Sequence, residues 1–300
     1  MMNLLVSIMI AGVLFPSGVP YLQALGGEHT DTPSVAVTAP RRVPGSSLGL
    51  GTTADAIVVV DDASGAILYN EHYLKSLPIA SITKLLTALV VLDTHPDWDA
   101  LVEITAEDQR VGNQVYLLPG EQVSRRDLFN VALVGSANEA AAALARTSGI
   151  ENFVQAMNDK ARSLGMVSAH FTEPTGLDPA NVAAAHDLSK LAQAAFGAAE
   201  VAEAATTSRY TFTITTTGRQ RTVQNTNALL DSFLNSGDYA ITGAKTGSLD
   251  EAGYCLVLQL QKKDGPAITV VLLGSDSQEA RWQEAKGIVD WVFENYQWLE

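Results

Sequence analysis

The chain has one cysteine in 300 residues, Cys255. No disulfide can form within it, and no cysteine cluster can hold zinc. Cys255 lies in the apolar run Tyr254-Cys255-Leu256-Val257-Leu258, where a buried structural thiol is expected. Histidine is scarce and scattered, at positions 29, 72, 95, 170 and 186, and none shows His-Glu-x-x-His spacing. No metal site is expected. Basic residues are outnumbered, 19 Lys and Arg against 33 Asp and Glu, for a formal net charge of -14. Such a surface repels phosphate backbones, which argues against nucleic acid as a partner. It leaves room for a local positive pocket, and Lys84 with Lys245 would make one.

Charge is missing altogether from Met1 to Leu25, and Leu4 to Phe15 is almost purely apolar. This reads as an export segment without the usual basic start, since the first charged residue is Glu28. Residues 1–26 are therefore expected to be a signal peptide, cut near Ala24 or Gly26, or a retained membrane anchor kinked at Pro16 and Pro20. Residues 27–53, rich in Thr, Pro, Ser, Gly and Val, read as a flexible linker. Residues 54–300 form the domain proper, and an apolar fraction of 47% supplies a substantial core.

Inside that domain the pattern changes once. Ala56 to Val60, the turn Asp61-Asp62-Ala63-Ser64-Gly65 and Ala66 to Asn70 read as a β-hairpin. A helix opens at Ser81 and runs to Leu92, and short strand-like pieces lie near Val102 to Thr105. Further helices are expected over Ser124 to Val134, Asn138 to Arg146, Glu151 to Leu164 and Ala185 to Ala199. Strands follow at Arg209 to Thr216, Ile241 to Gly247, Gly253 to Gln261 and Ala267 to Gly274. An amphipathic helix from Gln278 to Trp298 closes the chain. Strands joined by tight turns pair antiparallel. The expected fold class is α+β: a mainly antiparallel sheet flanked by helices, with a segregated helical subdomain.

Three short polar motifs punctuate this apolar domain. The first is Ser81-Ile82-Thr83-Lys84. Three residues apart on a helix, the serine and lysine share a face, so a hydroxyl nucleophile has an amine base beside it. A helix start near Ser81 adds unpaired N–H groups for a developing oxyanion. A lysine at its usual pKa near ~10.4 is no base. Burial and a neighbouring cation such as Lys245 would bring it down.

The second motif, Ser136-Ala137-Asn138, lies between two helical segments. Alone it is a turn and N-cap. Beside the first motif, Ser136 would stand in a proton path between Lys84 and the leaving group. Asn138 would hold the substrate amide and fix Lys84. The third, Lys245-Thr246-Gly247-Ser248, ends a strand. Lys245 offers an ammonium to a carboxylate and Thr246 a hydroxyl. Gly247 leaves room for a ligand backbone, and the Ser248 N–H would complete an oxyanion hole with that of Ser81. Strict alternation puts Lys245 and Thr246 on opposite faces, so both reach one ligand only on an edge or twisted strand.

Together the three motifs resemble those of the serine D-Ala-D-Ala carboxypeptidases, the low-molecular-mass penicillin-binding proteins. The likeness runs from Ala54 to Glu300. It includes Ala80-Ser81-Ile82-Thr83-Lys84-Leu85-Leu86-Thr87, Ser136-Ala137-Asn138-Glu139-Ala140-Ala141, Thr175-Gly176-Leu177-Asp178, Asn225-Thr226-Asn227 and Ala252-Gly253-Tyr254. The resemblance implies a β-lactamase/transpeptidase-like fold and no metal or organic cofactor. It implies that Ser81 attacks the penultimate carbonyl of a peptidoglycan stem peptide and D-Ala leaves, after which water hydrolyses the acyl-enzyme. Catalytic roles then fall on Ser81, Lys84, Ser136 and Asn138, and substrate binding on Lys245, Thr246, Gly247 and Ser248. β-Lactams would acylate Ser81 as inhibitors. An exported enzyme, in the periplasm or on the outer face of the cytoplasmic membrane, follows from that substrate. Family members often add a C-terminal β-domain and an anchor helix. Neither follows Trp298-Leu299-Glu300 here, so membrane contact is expected through residues 1–26. The alternatives are a D,D-endopeptidase cutting cross-links, a class A β-lactamase using Glu173 for deacylation, and a non-hydrolytic wall or β-lactam sensor.

Overall fold

The computed structural model describes residues 38–299 apart from positions 46, 48, 111 and 113. The expected signal or anchor segment, and the linker as far as residue 37, lie outside the described residues.

Five strands form one antiparallel sheet: β1 (Ala56–Asp61), β2 (Ile67–Glu71), β3 (Tyr239–Leu249), β4 (Gly253–Lys262) and β5 (Ala267–Ser275). Their order across the sheet is β3-β4-β5-β1-β2. The interior strand β1, Ala-Ile-Val-Val-Val-Asp, is buried along its whole length. Its β-branched run suits a strand covered on both faces. Alternation then splits it: Ala56, Val58 and Val60 enter one core cluster, Ile57 and Val59 the other. Each of the buried valines and Ile57 contributes ~1.5–3 kcal/mol when fully withdrawn from water.

One face of the sheet is covered by the C-terminal helix α7 (Gln278–Asn295), which sends Trp282, Ile288, Val289 and Val292 into the second cluster. The other face carries the helical block: α1 (Thr83–Leu92), α2 (Arg125–Val134), α3 (Asn138–Arg146), α4 (Phe153–Ser163), α5 (Ala185–Phe196) and α6 (Ala199–Thr206). This is the expected α+β arrangement. Helix α1 is buried from Thr83 to Val91 and so lies inside the block. Ser124 caps α2 by accepting from the Asp127 N–H, and the Asp127 carboxylate reaches back to Ser124.

Several boundaries differ from the sequence reading. Residues 185–199 hold a helix end at Phe196, a turn through Gly197, and a new helix from Ala199. Helix α7 stops at Asn295, because Tyr296-Gln297 turns out to pair with Arg41-Arg42. That pairing also bears on the linker. Its described end is extended but attached. The Thr53 N–H and hydroxyl donate to Glu284, and the Arg42 guanidinium lies 5.4 Å over the Trp291 ring.

Candidate active site

The nucleophile motif starts on a turn rather than within a regular α-helix. Ala80–Ile82 is a single 3-10 turn, and α1 begins at Thr83. Ala80 has φ +47, a strained value for a residue with a side chain, held there by its surroundings. Gly176 explains part of that hold. At φ +84, its Cα packs so closely that an added Cβ would lie 2.0 Å from the Ala80 carbonyl oxygen.

Around Lys84 the structure brings three acceptors together. Its Nζ lies 2.8 Å from Ser81 Oγ, 2.7 Å from Asn138 Oδ1 and 2.6 Å from the Thr175 carbonyl oxygen. The Asn138 amide is oriented by its other end, whose Nδ2 donates to the Gly112 carbonyl at 2.9 Å. A neutral amine has two hydrogens and one lone pair. Asn138 Oδ1 and the Thr175 carbonyl can only accept, so they take the two hydrogens and leave the lone pair facing the Ser81 hydroxyl. Burial pushes the Lys84 amine down to about 7, against the charges of Glu173 and Glu139, which raise it. Asn138 is the first residue of α3 rather than its cap; that position belongs to Ala137, which offers no side-chain bond.

The second lysine sits across the site. Lys245 Nζ donates to Ser136 Oγ at 2.9 Å and to the Thr246 carbonyl at 2.9 Å. Ser136 is therefore joined to Lys245, and it adopts φ +56 on the turn between α2 and α3. Burial holds Lys245 well below the ordinary lysine range, and the nearby cations Lys84 and Arg281 push in the same direction. Among the described residues neither lysine has a carboxylate within ion-pair distance. The site thus gathers two buried amines inside an acidic protein.

Strand β3 is an edge strand, which resolves the tension between Lys245 and Thr246. Lys245 points toward the helical block, and the Thr246 hydroxyl meets that of Thr226 at 2.6 Å beside it. Gly247 has a role that the sequence reading did not foresee. A Cβ there would come within 2.8 Å of the Ile79 carbonyl oxygen and 3.2 Å of the Ser81 nitrogen. The glycine lets β3 seat directly against the nucleophile turn. Arg281, on α7, donates to the Gly247 and Cys255 carbonyls at 3.2 and 3.1 Å. Burial pulls its guanidinium down to about 10, so it stays charged at neutral pH.

Ser81, 7% exposed, opens onto two cavities. The smaller, about 220 Å³, is lined by Ser136, Thr226, Thr246, Ser248 and Arg281. The larger, about 480 Å³, runs past Gly176, Leu177, Ser248 and Tyr254. All eight residues singled out by motif thus gather around one hydroxyl. Sequence reasoning missed Arg281 and the carbonyl of Thr175, and named Glu173 only as the deacylating carboxylate of the β-lactamase alternative. Arg281 carries no local motif, and a backbone acceptor leaves no trace in residue type. Thr226 lay within a stretch that already resembled the family, and only its role was unseen.

Glu173 does not offer a free carboxylate to a deacylating water. Its Oε2 accepts from the Thr175 N–H and hydroxyl at 2.7 and 2.6 Å. Its Oε1 accepts from the N–H groups of Gly176 and Leu177 and from Asn181 Nδ2. This counts against the class A β-lactamase alternative, which needs that carboxylate to take a proton from water.

The family model described as D-alanyl-D-alanine carboxypeptidase matches residues 45–276. A D-alanyl-D-alanine endopeptidase from Pseudomonas aeruginosa is 36% identical over 241 residues, 78% of this chain and 76% of the relative. A D-alanyl-D-alanine carboxypeptidase from a Streptomyces strain is 32% identical over 283 residues, 87% of this chain and 91% of the relative. Among solved structures, a D-alanyl-D-alanine carboxypeptidase from Mycobacterium tuberculosis is similar with a TM-score of 0.75 at 29% identity, covering 85% of this chain and 96% of that one.

Proposed function

The chain belongs to the D-alanyl-D-alanine carboxypeptidase family, and from that premise we propose how its residues divide the work. It is a serine hydrolase that removes the terminal D-Ala from peptidoglycan stem peptides through an acyl-enzyme, and β-lactams acylate it. Ser81 Oγ attacks the penultimate carbonyl while Lys84 Nζ takes its proton. The backbone N–H groups of Ser81 and Ser248 receive the oxyanion. Lys245 and the Thr246 hydroxyl hold the terminal carboxylate, and Arg281 adds the fixed positive charge that keeps this end of the groove anionic-selective. The C–N bond breaks, and the departing amine takes, by way of Ser136, the proton that Lys84 received from Ser81. Water then cleaves the Ser81 ester and releases the shortened peptide.

One observation carries this reading: the 2.8 Å contact between Ser81 Oγ and a buried Lys84 whose other two partners can only accept. A conventional surface lysine would be charged at neutral pH and could not serve as the base. The test is mass spectrometry of the full chain after incubation with a penicillin. The wild-type protein gains one penicilloyl group on the peptide holding Ser81, and Ser81→Ala gains none. Label on any other residue, or on Ser81→Ala, overturns the assignment.

The substrate class has a second arm, because the Pseudomonas relative bears the name of an endopeptidase. Free pentapeptide and intact cross-linked muropeptide, offered separately, distinguish the two. Faster D-Ala release from the pentapeptide supports the carboxypeptidase reading. Cleavage of the cross-linked muropeptide alone reassigns the enzyme to cross-links. We place the enzyme outside the cytoplasm, in the periplasm or on the outer face of the cytoplasmic membrane, with residues 1–26 as signal or anchor. Among the described residues no helix is long and apolar enough to cross a membrane.

A further inference from the structure

We propose that Glu173 is a positioning residue that sets the protonation window of Lys84 by holding the loop 172–181 as a saddle over the start of α1. The inference rests on the reading of Lys84 as the base for Ser81.

The saddle touches α1 at three successive polar positions. Asn181 Nδ2 donates to Thr83 Oγ1 at 3.2 Å, Lys84 Nζ donates to the Thr175 carbonyl at 2.6 Å, and Thr87 Oγ1 donates to the Pro174 carbonyl at 2.7 Å. Positions 83, 84 and 87 fall on one side of a helix. A fourth contact is steric: Gly176 seats against Ala80, next to the nucleophile. The loop also joins the strand before the nucleophile turn, where the Ile79 N–H donates to the Asn181 carbonyl at 3.1 Å.

No helix or strand holds residues 172–178 in this shape. Their backbone N–H groups need another acceptor, and Glu173 supplies it. Five donors converge on its two oxygens: three backbone N–H groups, one hydroxyl and one amide. Only an acceptor without a proton of its own takes so many. Asn181 closes the ring from the other side, its Oδ1 accepting from the N–H and hydroxyl of Thr172 at 2.7 and 3.0 Å. With the Glu173 carboxylate removed, residues 175–177 lose the acceptor that holds the Thr175 carbonyl at the Lys84 amine, and only the ties through Thr87 and Asn181 remain.

Two consequences for Lys84 follow, and they have the same sign. The Thr175 carbonyl accepts a hydrogen bond that is stronger to an ammonium than to an amine, so its presence favours the charged form. The Glu173 charge favours the charged form as well. The other charged groups facing this site are Glu139 on α3, which acts with Glu173, and Lys245 on β3, beyond which lies Arg281 on α7. Glu139 is tied to a different loop, accepting from the N–H groups of Tyr116 and Leu117 at 2.7 and 3.1 Å. Glu173 is therefore the one carboxylate that both tunes Lys84 and aims one of its partners.

The experiment measures the rate of Ser81 acylation by a fluorescent penicillin from pH 5 to 9, on the full chain and on Glu173→Gln. In the wild type the rate rises through an acid limb to a plateau. In Glu173→Gln the limb is expected to move down by about half a pH unit or more, and the plateau to fall roughly ten-fold as the amine loses its aim. A purely structural role would lower the plateau without moving the limb, and that outcome overturns the proposal. Glu173→Asp keeps the charge and shortens the reach. It is expected to move the limb down by less than Glu173→Gln does, since only the Thr175 contact weakens, and to lower the plateau about three-fold or more; a wild-type plateau overturns the proposal even where Glu173→Gln fails to fold. A wild-type protein that takes no label on Ser81 overturns the underlying reading of the site, and this inference with it. A labelled wild type beside an unshifted Glu173→Gln overturns this inference alone.

Discussion

The two buried lysines make an instructive pair. Lys84 and Lys245 are both shut away from water, both lack an ion-pair partner among the described residues, and both lie within hydrogen-bond distance of a serine hydroxyl. Their neighbourhoods differ in sign. Lys84 feels two carboxylates, Glu173 and Glu139, whereas Lys245 feels two cations, Lys84 and Arg281. Lys84 stands at the start of a buried helix with two carbonyl-type acceptors fixing its hydrogens. Lys245 stands on a sheet edge that opens onto a cavity. On the proposed reading the same side chain serves two ends: one lysine gains and loses a proton, the other awaits an anion.

The sharpest way to break the comparison is to remove each amine in turn. Lys84→Met is expected to lower the acylation rate at pH 7 by roughly 10³-fold, measured by penicillin labelling. The same variant should be more stable than the wild type. The folded pKa of Lys84 is about 7, below the unfolded value, so the unfolded chain binds more protons between about 7 and 10.5. The stability of the wild type therefore rises with pH across that window. The advantage of Lys84→Met should be greatest below about pH 7, on the order of a few kcal/mol, and shrink as pH climbs toward 10. Thermal unfolding at several pH values checks it, and an advantage that grows with pH would sink the idea.

Lys245→Met should behave differently. Here kcat/KM for a pentapeptide is expected to fall by about 10²-fold, chiefly through KM, because the carboxylate loses its partner while Ser81 and Lys84 keep theirs. A loss confined to kcat would put Lys245 in the chemistry instead. Next in size is Gly176→Ala. The new methyl meets the Ala80 carbonyl and demands a positive φ of an alanine, at a cost of about 2 kcal/mol or more. Urea unfolding measures that cost, and labelling reports the displaced Ser81. The smallest effect expected is that of Thr226→Val, which removes the 2.6 Å contact to the Thr246 hydroxyl. KM should rise a few-fold, about 1 kcal/mol in binding, with kcat little changed.

Much of this was legible in the sequence, for identifiable reasons. The hairpin of β1 and β2 and the helix Asn138–Arg146 announce themselves through apolar patterning and turn residues. The three motifs carry reactive side chains at fixed spacing, and the fold gathers them. What escaped detection depends on partners rather than composition. The strand Arg219–Gln224 has one buried residue, Val223, and exists because it pairs with Arg209–Ile214. Glu173 was singled out only as a deacylating base, and its hold on the loop was invisible because its donors are mostly backbone N–H groups. Arg281 sits on a helix among other charged residues, and only the return of α7 beneath β3 brings it to the Gly247 carbonyl. Gly247 itself was read as clearance for a ligand, whereas packing against the Ile79 carbonyl already demands it.

The contacts around Ser81 come from residues 80, 84, 138, 175, 245 and 281. No fragment of the polypeptide contains them all unless it is nearly the whole domain. Covalent capture by a penicillin should therefore double as a head count of correctly assembled molecules. Any stress that loosens one contributor would be seen as a shrinking labelled fraction, well before circular dichroism noticed a missing helix.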